Sequence, residues 1–242
     1  MSDLNNFNVE PTMMAGRMDY RDYLRRTFTQ MAAGLGITAV VAWLCYTSLI
    51  NGGLVYHVLE GFPFITVIML VAQLAVVIVM SSRIMKLQPG TVTMLFYGYA
   101  VLTGMTFSLL PLAYGVSNVF IAFAYAAGLF GCMAIIGYTT KADLSRLSTV
   151  LYAGLFMLVI AGIVRIFVDM TAIETIICFV GIFIFMGLTA YDMQKMKALY
   201  GQCTDPAMAA KLSTYSALQL YLDFINLFLY IVRLLGGSRD RK

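Results

Sequence analysis

Six polar residues recur through the last apolar segment of the chain at the spacing of a single helix face. They are separated by 3, 4, 3, 4 and 3 residues, which places them on one side of a helix with 3.6 residues per turn: Ser216, Gln219, Asp223, Asn226, Tyr230 and Arg233. If this segment crosses a membrane, such a stripe must face protein or water rather than lipid. The stripe therefore predicts the lining of a path for cations or protons, and the alternative is hydrogen bonding between neighbouring helices.

Two acids stand out in these apolar segments. Asp223 lies in the middle of the last one, where a charge costs about 2.5–3.5 kcal/mol to insert, and Asp192 ends the run GIFIFMGLTAYD, three residues before Lys195. One interpretation places Asp192 at the lipid headgroups, and the other places it beside Asp223 on a neighbouring helix. Two carboxylates a few ångström apart in a low-dielectric site cannot both ionise cheaply, so the second interpretation predicts a pair that shares one proton.

The composition identifies the elements that must position these acids as membrane-spanning helices. Of 242 residues, 61% are apolar and 12% charged, and the mean hydropathy is +0.84, which excludes an ordinary soluble domain, a disordered chain and a disulfide-rich module. The first thirty residues are polar and contain no signal peptide. The apolar runs predict an all-α protein with seven transmembrane helices, at about 29–50, 64–82, 91–113, 117–138, 147–168, 172–192 and 212–235. A polar tail, residues 1–28, precedes this transmembrane domain (29–236), and a basic tail, 237–242, follows it.

The distribution of basic residues predicts that the N-terminus is cytoplasmic. With that orientation, 11 of the 16 Lys and Arg residues lie on the inner side, together with the long polar connection 193–211. Four of the other five lie at the end of the chain. A last segment that enters and returns would therefore fit the charges better, whereas its length favours crossing, and the side of the C-terminus is left open.

The sequence contains no pattern that predicts a resident cofactor. The four cysteines are scattered without metal-binding spacing and His57 stands alone, so we interpret the cysteines as small hydrophobic residues. The net charge of +4 reflects membrane topology and does not indicate a nucleic-acid partner.

Two strings closely resemble the signature segments of the Bax inhibitor family, also called the transmembrane Bax inhibitor motif (TMBIM) family. They are GLTAYDMQKMK at 187–197 and LQLYLDFINLFLYIVRLLG at 218–236, and GYTTKADLS at 137–145 and TGMTFSLL at 103–110 are similar to further segments of it. The resemblance covers residues 20–237 and is strongest to the bacterial inner-membrane branch. It implies six helices that surround a central seventh, and a multi-pass protein of the inner membrane.

The same resemblance implies a function and a set of residues for it. The family's paired-carboxylate pH sensor, which controls a slow calcium leak, falls on Asp192 and Asp223, and these two would also be the transient calcium ligands. A basic latch on the first aspartate has its nearest match in Arg83, and the family's arginine on the last helix matches Arg233. Where some members carry an acid in the second span this chain has Gln73, which removes one negative charge from the pathway. The remaining pathway residues would be Gln219, Asn226 and Tyr230.

Two other functions compete with a leak channel. Paired intramembrane aspartates also resemble presenilin-type proteases, but Asp223 follows Leu220, Tyr221 and Leu222 rather than a Gly-x-Gly element, and no proline occurs after Pro206. We therefore expect no enzymatic activity. Members of the bacterial branch are also described as restraining a membrane-anchored AAA protease. The chain could be such a regulatory partner, engaged through residues 1–25, and this role does not exclude the leak.

Overall fold

The computed structural model describes residues 19–62, 64–165, 167–168, 170 and 173–236, and within these ranges every regular element is a helix. There are nine in chain order: α1 (Tyr20–Ile50), α2 (Leu54–Gly61), α3 (Ile65–Arg83), α4 (Pro89–Phe107), α5 (Leu110–Tyr114), α6 (Val116–Thr139), α7 (Ser145–Val164), α8 (Glu174–Gly201) and α9 (Pro206–Gly236). Residues 1–18 of the predicted N-terminal tail (1–28) and the whole predicted C-terminal tail (237–242) lie outside the described residues.

Seven segments are long and apolar enough to cross a membrane, which confirms the predicted fold class. They are α1, α3, α4 together with α5, α6, α7, α8 and α9. Large apolar side chains lie exposed on the outer helix faces, Leu74, Ile135 and Phe183 among them. Such a surface is unfavourable in water and suits a hydrocarbon surrounding.

Local sequence explains where several of these helices begin. Asp19 caps α1 and accepts a hydrogen bond from the Tyr20 N–H, and Asp205 caps α9, where its Oδ1 accepts from the Met208 N–H at 2.7 Å. Proline occupies the first position of α4 (Pro89) and of α9, where its missing N–H costs nothing. Gly115 joins α5 to α6 with φ +83°, a conformation that side-chain-bearing residues rarely adopt.

The predicted long connection at 193–211 is wrong in its extent. α8 continues to Gly201 and α9 begins at Pro206, so that only residues 202–205 join them. The run KMKALYG consists mostly of good helix formers, and a helix need not end where the hydrocarbon ends. α1 likewise begins at Tyr20, nine residues before the predicted start of the first span.

The last helix lies at the centre of the bundle. α9 packs against α1, α4, α5, α6 and α8, whereas α3 packs chiefly on α4 and α7 on α8. It is one unbroken helix of 31 residues, about 46 Å long at 1.5 Å per residue, so it does not turn back within a membrane. The central position predicted for the polar-striped helix is therefore confirmed.

Candidate functional site

The structure brings Asp192 and Asp223 together across the packed interface of α8 and α9. Their exposed fractions are 9% and 5%, and the charge of Asp192 acts on Asp223. One oxygen of each carboxyl, Asp192 Oδ1 and Asp223 Oδ2, is buried without a hydrogen-bond partner in the described part of the chain. Because buried polar atoms are nearly always paired, two unpaired carboxyl oxygens on adjacent helices indicate a candidate functional site.

Lys195 is a basic group whose charge acts on this pair, and sequence reasoning assigned it no role. It follows Asp192 by three residues on α8, a spacing that places two side chains on one helix face, and its charge acts on both carboxylates. Its ammonium lies 5.9 Å from the centre of the Tyr191 ring, and its charge also acts on Tyr152 of α7. Lys195 thus neutralises part of the negative charge of the site from its predicted cytoplasmic side.

Arg83, the predicted latch, is not paired with Asp192 in this structure. It is the last residue of α3 and is exposed, and the one ion pair found among the described residues joins Arg165 to Glu174. Gln73, which stands where some family members have an acid, lies ten residues earlier in α3, and its Nε2 donates to Thr106 Oγ1 of α4 at 3.2 Å. Gln73 therefore ties α3 to α4, and the latch remains a prediction.

Close backbone contact with α6 positions the segment of α8 that carries Asp192. A Cβ at Gly137 would lie 2.7 Å from Ala190 Cα and 2.9 Å from Ala190 C, so only glycine lets the two helices approach this closely. Two residues beyond Asp192, Gln194 Oε1 accepts from the Leu144 N–H at 2.9 Å and its Nε2 donates to the Ala142 carbonyl at 2.8 Å. These contacts join the 137–145 segment to the 187–197 segment.

The loop that Gln194 holds contains an exposed acid of its own. The Ser145 N–H donates to Asp143 Oδ1 at 3.0 Å, and the hydrogen bonds from Ser145 hold the pKa of Asp143 below its usual range. Asp143 is thus charged at neutral pH and lies outside the membrane-spanning segments. It offers a natural comparison for the two buried acids.

A separate network positions the central part of α9 against α1. The hydroxyl oxygens of Tyr221 and Thr38 lie 2.6 Å apart, and Thr38 Oγ1 is also 3.0 Å from the carbonyls of Gly34 and Ala100. Since a hydroxyl has one proton, Tyr221 donates to Thr38, which shares its own proton between the two carbonyls. A Cβ at Gly34 would lie 2.6 Å from the Phe96 ring, so this glycine makes room for the aromatic packing around Tyr221.

The predicted stripe divides into two kinds of position. Ser216, Asp223 and Tyr230 are buried, whereas Gln219, Asn226 and Arg233 are half-buried. Ser216 contacts the Tyr23 hydroxyl of α1 at 3.0 Å, and Asn226 donates to the Leu222 carbonyl of its own helix. Ser216 thus fits the interhelical alternative, while the amide of Asn226 makes a bond within α9.

Arg233 lies at the far end of α9 beside a small cavity of about 30 Å³. Its guanidinium carbon lies 5.5 Å from the centre of the Tyr230 ring, and Glu174, paired with Arg165 at 2.6 Å, borders the same cavity. Tyr230 also stacks on Phe185 of α8, with ring centres 5.9 Å apart. Glu174 and Arg233 thus line the same cavity, and the ion pair found there among the described residues joins Glu174 to Arg165.

Two carboxylates are few ligands for a resident calcium ion, which takes six to eight oxygens. Among the residues that the structure describes, no three His, Cys, Asp or Glu side chains come together as a metal cluster. If calcium meets Asp192 and Asp223, water or backbone oxygens must supply the other ligands. Two carboxylates completed by water or backbone oxygens suit transient contact with a moving calcium ion better than a permanent calcium site.

These features define a multi-spanning helical membrane protein with a buried pair of acids on its last two helices. Residues 20–240 match the family model described as Inhibitor of apoptosis-promoting Bax1, and the chain belongs to this Bax inhibitor family. The inner membrane protein YbhL of Escherichia coli K12 is 37% identical over 98% of this chain and 100% of its own length. An uncharacterised protein of Deinococcus radiodurans is 40% identical, over 91% of this chain and 92% of the relative, and the Rickettsia prowazekii protein RP147 is 36% identical over 91% of each chain.

Proposed function

We propose that this chain is a cation leak channel of a bacterial inner membrane, with calcium among its permeant ions and the Asp192–Asp223 pair as its pH sensor. The observation that carries the proposal is the burial of both carboxyls on adjacent helices, with one oxygen of each left without a partner. The name and the 37% identity of YbhL support the inner-membrane location.

Electrostatic repulsion supplies the gating force in this proposal. When the pair holds one proton, only one carboxylate is charged and α8 packs on α9 without charge repulsion. Loss of that proton places two negative charges in a low-dielectric interface. A repulsion of about 2.7 kcal/mol is enough to shift a two-state equilibrium by about a hundredfold. The helices then separate, or a cation enters between the carboxylates.

The pathway continues from the pair toward both ends of the interface. Gln219 and Asn226 lie one turn on either side of Asp223. Glu174, at the start of α8, and Arg233, near the end of α9, lie beside the same cavity. The Phe185–Tyr230 stack separates that end from the acids, which suits a slow leak better than an open pore. Gln73 lies on α3, away from this interface, and supplies no acid; with Asp192 and Asp223 as the acids of the central pathway, we expect weak selectivity for calcium over other cations.

Ion flux into proteoliposomes of the purified protein, measured across pH 5 to 8 with calcium, sodium and potassium, tests this proposal. We expect the wild-type flux to depend on pH, and Asp192→Asn, Asp223→Asn and the double variant to lose most of that dependence to the same extent, because one coupled pair supplies it. Asp143→Asn is the matched control, since it removes an exposed acid and should leave the pH profile unchanged. Additive effects of the two single variants, or unchanged profiles in both, would contradict a shared sensor.

The direction of the pH response distinguishes two gating forces. Flux that rises with pH would identify carboxylate repulsion as the opening force, whereas flux that falls would identify a basic latch on the deprotonated Asp192. If the flux falls with pH, two variants identify the latch. Loss of the response in Arg83→Gln would identify Arg83, and loss of the response in Lys195→Gln would identify Lys195. We propose no catalytic activity for the pair, and incubation with a membrane-spanning peptide should yield no cleavage products.

A further inference from the structure

An apolar cavity of about 200 Å³ lies between α1 and α6, on the side of α9 that faces away from α8. Phe224, Ile225 and Phe228 of α9 form its floor. At 100° per residue these positions lie 100° to 200° around the helix from Asp223. The cavity is therefore separate from the carboxylate site.

The chemistry of the walls excludes a polar occupant. The lining is almost wholly hydrocarbon: its side-chain polar groups are those of Thr38, Trp43 and Tyr46, and the Thr38 hydroxyl is already bonded to Tyr221 and to two carbonyls. An apolar cavity of about 150 Å³ in a protein core stays dry and binds hydrocarbons. This larger cavity offers no set of polar partners that would hold a water or an ion.

The mouth of the cavity opens sideways between two membrane-spanning helices. Trp43 of α1 is 51% exposed and Phe120 of α6 is 64% exposed, and both line the cavity. A second, shallower apolar groove of about 340 Å³ follows the same boundary between α1 and α6, between Leu24 and Phe28 on one side and Ile135 and Tyr138 on the other. The medium at such an opening is the hydrocarbon of the bilayer.

We propose that this cavity is a binding site for one acyl chain of a membrane phospholipid, which inserts between α1 and α6 and packs against Phe224 and Phe228. The rings around it are already ordered, since Phe123 lies 5.4 Å from Phe224 and Phe107 lies 5.6 Å from Phe228, measured between ring centres. A preformed apolar site binds without the cost of ordering its walls. The bound acyl chain supports α9 on the side of the helix opposite to Asp223.

Trp43 is the sole tryptophan of the sequence, so its fluorescence reports on this site directly. The purified full-length protein in detergent is titrated with a phosphatidylcholine that carries a brominated acyl chain. We expect quenching that saturates near one lipid per protein and that unbrominated phosphatidylcholine reverses, whereas free phosphocholine does not. The same lipid should raise the melting temperature, because it binds only the folded state.

Two variants fill the cavity from opposite walls, and one serves as a matched control. Ala39→Leu combined with Ala42→Leu fills it from α1, and Val119→Phe fills it from α6 and leaves the surroundings of Trp43 on α1 unchanged. Both should lose the saturable quenching and the lipid-induced rise in melting temperature. Ala33→Leu, an exposed position of α1 outside the lining, should keep both.

Three results would overturn the acyl-chain site. Quenching that grows in proportion to lipid and is equal in all variants would show contact with surrounding lipid only. Reversal by phosphocholine would show a headgroup site, and a Trp43 signal that follows protein concentration and dimer formation would show a second copy of the chain in the cavity. None of these measurements depends on ion flux, so the test stands apart from that of the proposed channel.

Discussion

Replacement of Gly137 by alanine should destabilise the protein through a clash between two backbones. The added Cβ would lie 2.7 Å from Ala190 Cα and 2.9 Å from Ala190 C, and it would also contact the Ala190 carbonyl oxygen. No side chain can rotate away to relieve this contact, so α6 and α8 must separate. Such overpacking typically costs about 1–3 kcal/mol.

Gly131→Ala on the same helix is the matched control, because a Cβ at Gly131 would have no atom within 4 Å. Both substitutions add a methyl group to α6 and gain up to about 1 kcal/mol of helix propensity. The difference between the two variants therefore isolates the clash. For a chain of this size, about 1 kcal/mol corresponds to roughly 2–4 °C in melting temperature, so Gly137→Ala should melt about 2–12 °C below Gly131→Ala.

Thermal unfolding in detergent, followed by circular dichroism, measures this difference, and flux in proteoliposomes measures its functional consequence. Since Ala190 precedes Asp192 by two residues, displacement of α8 should also change the pH profile of the flux. Equal melting temperatures for the two alanine variants would refute the close packing of α6 on α8. An altered profile in Gly131→Ala alone would refute the link between this packing and the sensor.

Three further predictions concern the ends of the bundle and the tail. A cysteine introduced at position 5 of a cysteine-free chain should resist an impermeant reagent applied to intact cells and react after lysis, because the charge distribution places the N-terminus inside; labelling before lysis would contradict this topology. Arg233→Ala should lower the melting temperature by roughly 1–4 °C through loss of its contact with Tyr230, worth about 0.5–1 kcal/mol, whereas the exposed Arg146→Ala should not; equal melting of the two variants would reduce Arg233 to a headgroup contact. Deletion of residues 1–19 should leave ion flux unchanged while abolishing any restraint of a membrane-anchored protease, measured by substrate degradation in cells; unchanged restraint would remove the tail from that role.

The spacing of residues within each segment was enough to predict those features of the fold that a single helix determines. The apolar runs predicted seven spans, and the stripe through Asp223 predicted a helix that needs protein on most sides, as α9 has. The extent of α8 was missed because hydropathy stops at the membrane surface, whereas the hydrogen bonds of the helix continue to Gly201. Hydropathy reports where a helix is in lipid and not where it ends.

Contacts between distant parts of the chain could not be predicted from such patterns. Nothing in the spacing connects Gln194 to the loop at 142–144, or Tyr221 to Thr38, because these partners are 50 to 183 residues apart. Lys195 is different, since its spacing of three residues from Asp192 was visible in the sequence. What the spacing could not predict is that the charge of Lys195 would act on Asp223 of α9 as well as on Asp192.

The polar contacts of α8 and α9 lead in opposite directions from the acid pair. α8 is held on the side of α6, by the Gly137 contact and by Gln194, while α9 is held on the side of α1, by Tyr23–Ser216 and by Thr38–Tyr221. Between the two helices lie the carboxyl oxygens that lack partners. A change in the charge of the pair therefore acts on an interface whose two helices have separate hydrogen-bonded contacts to the rest of the bundle. In the proposed gate, separation of α8 from α9 would leave these hydrogen bonds intact, but it must shift Tyr200 of α8 against the Tyr20 and Tyr23 rings of α1, whose centres lie 5.0 and 5.5 Å away. α6 packs on both helices, so the resistance to opening comes from this apolar and aromatic packing and not from the polar contacts.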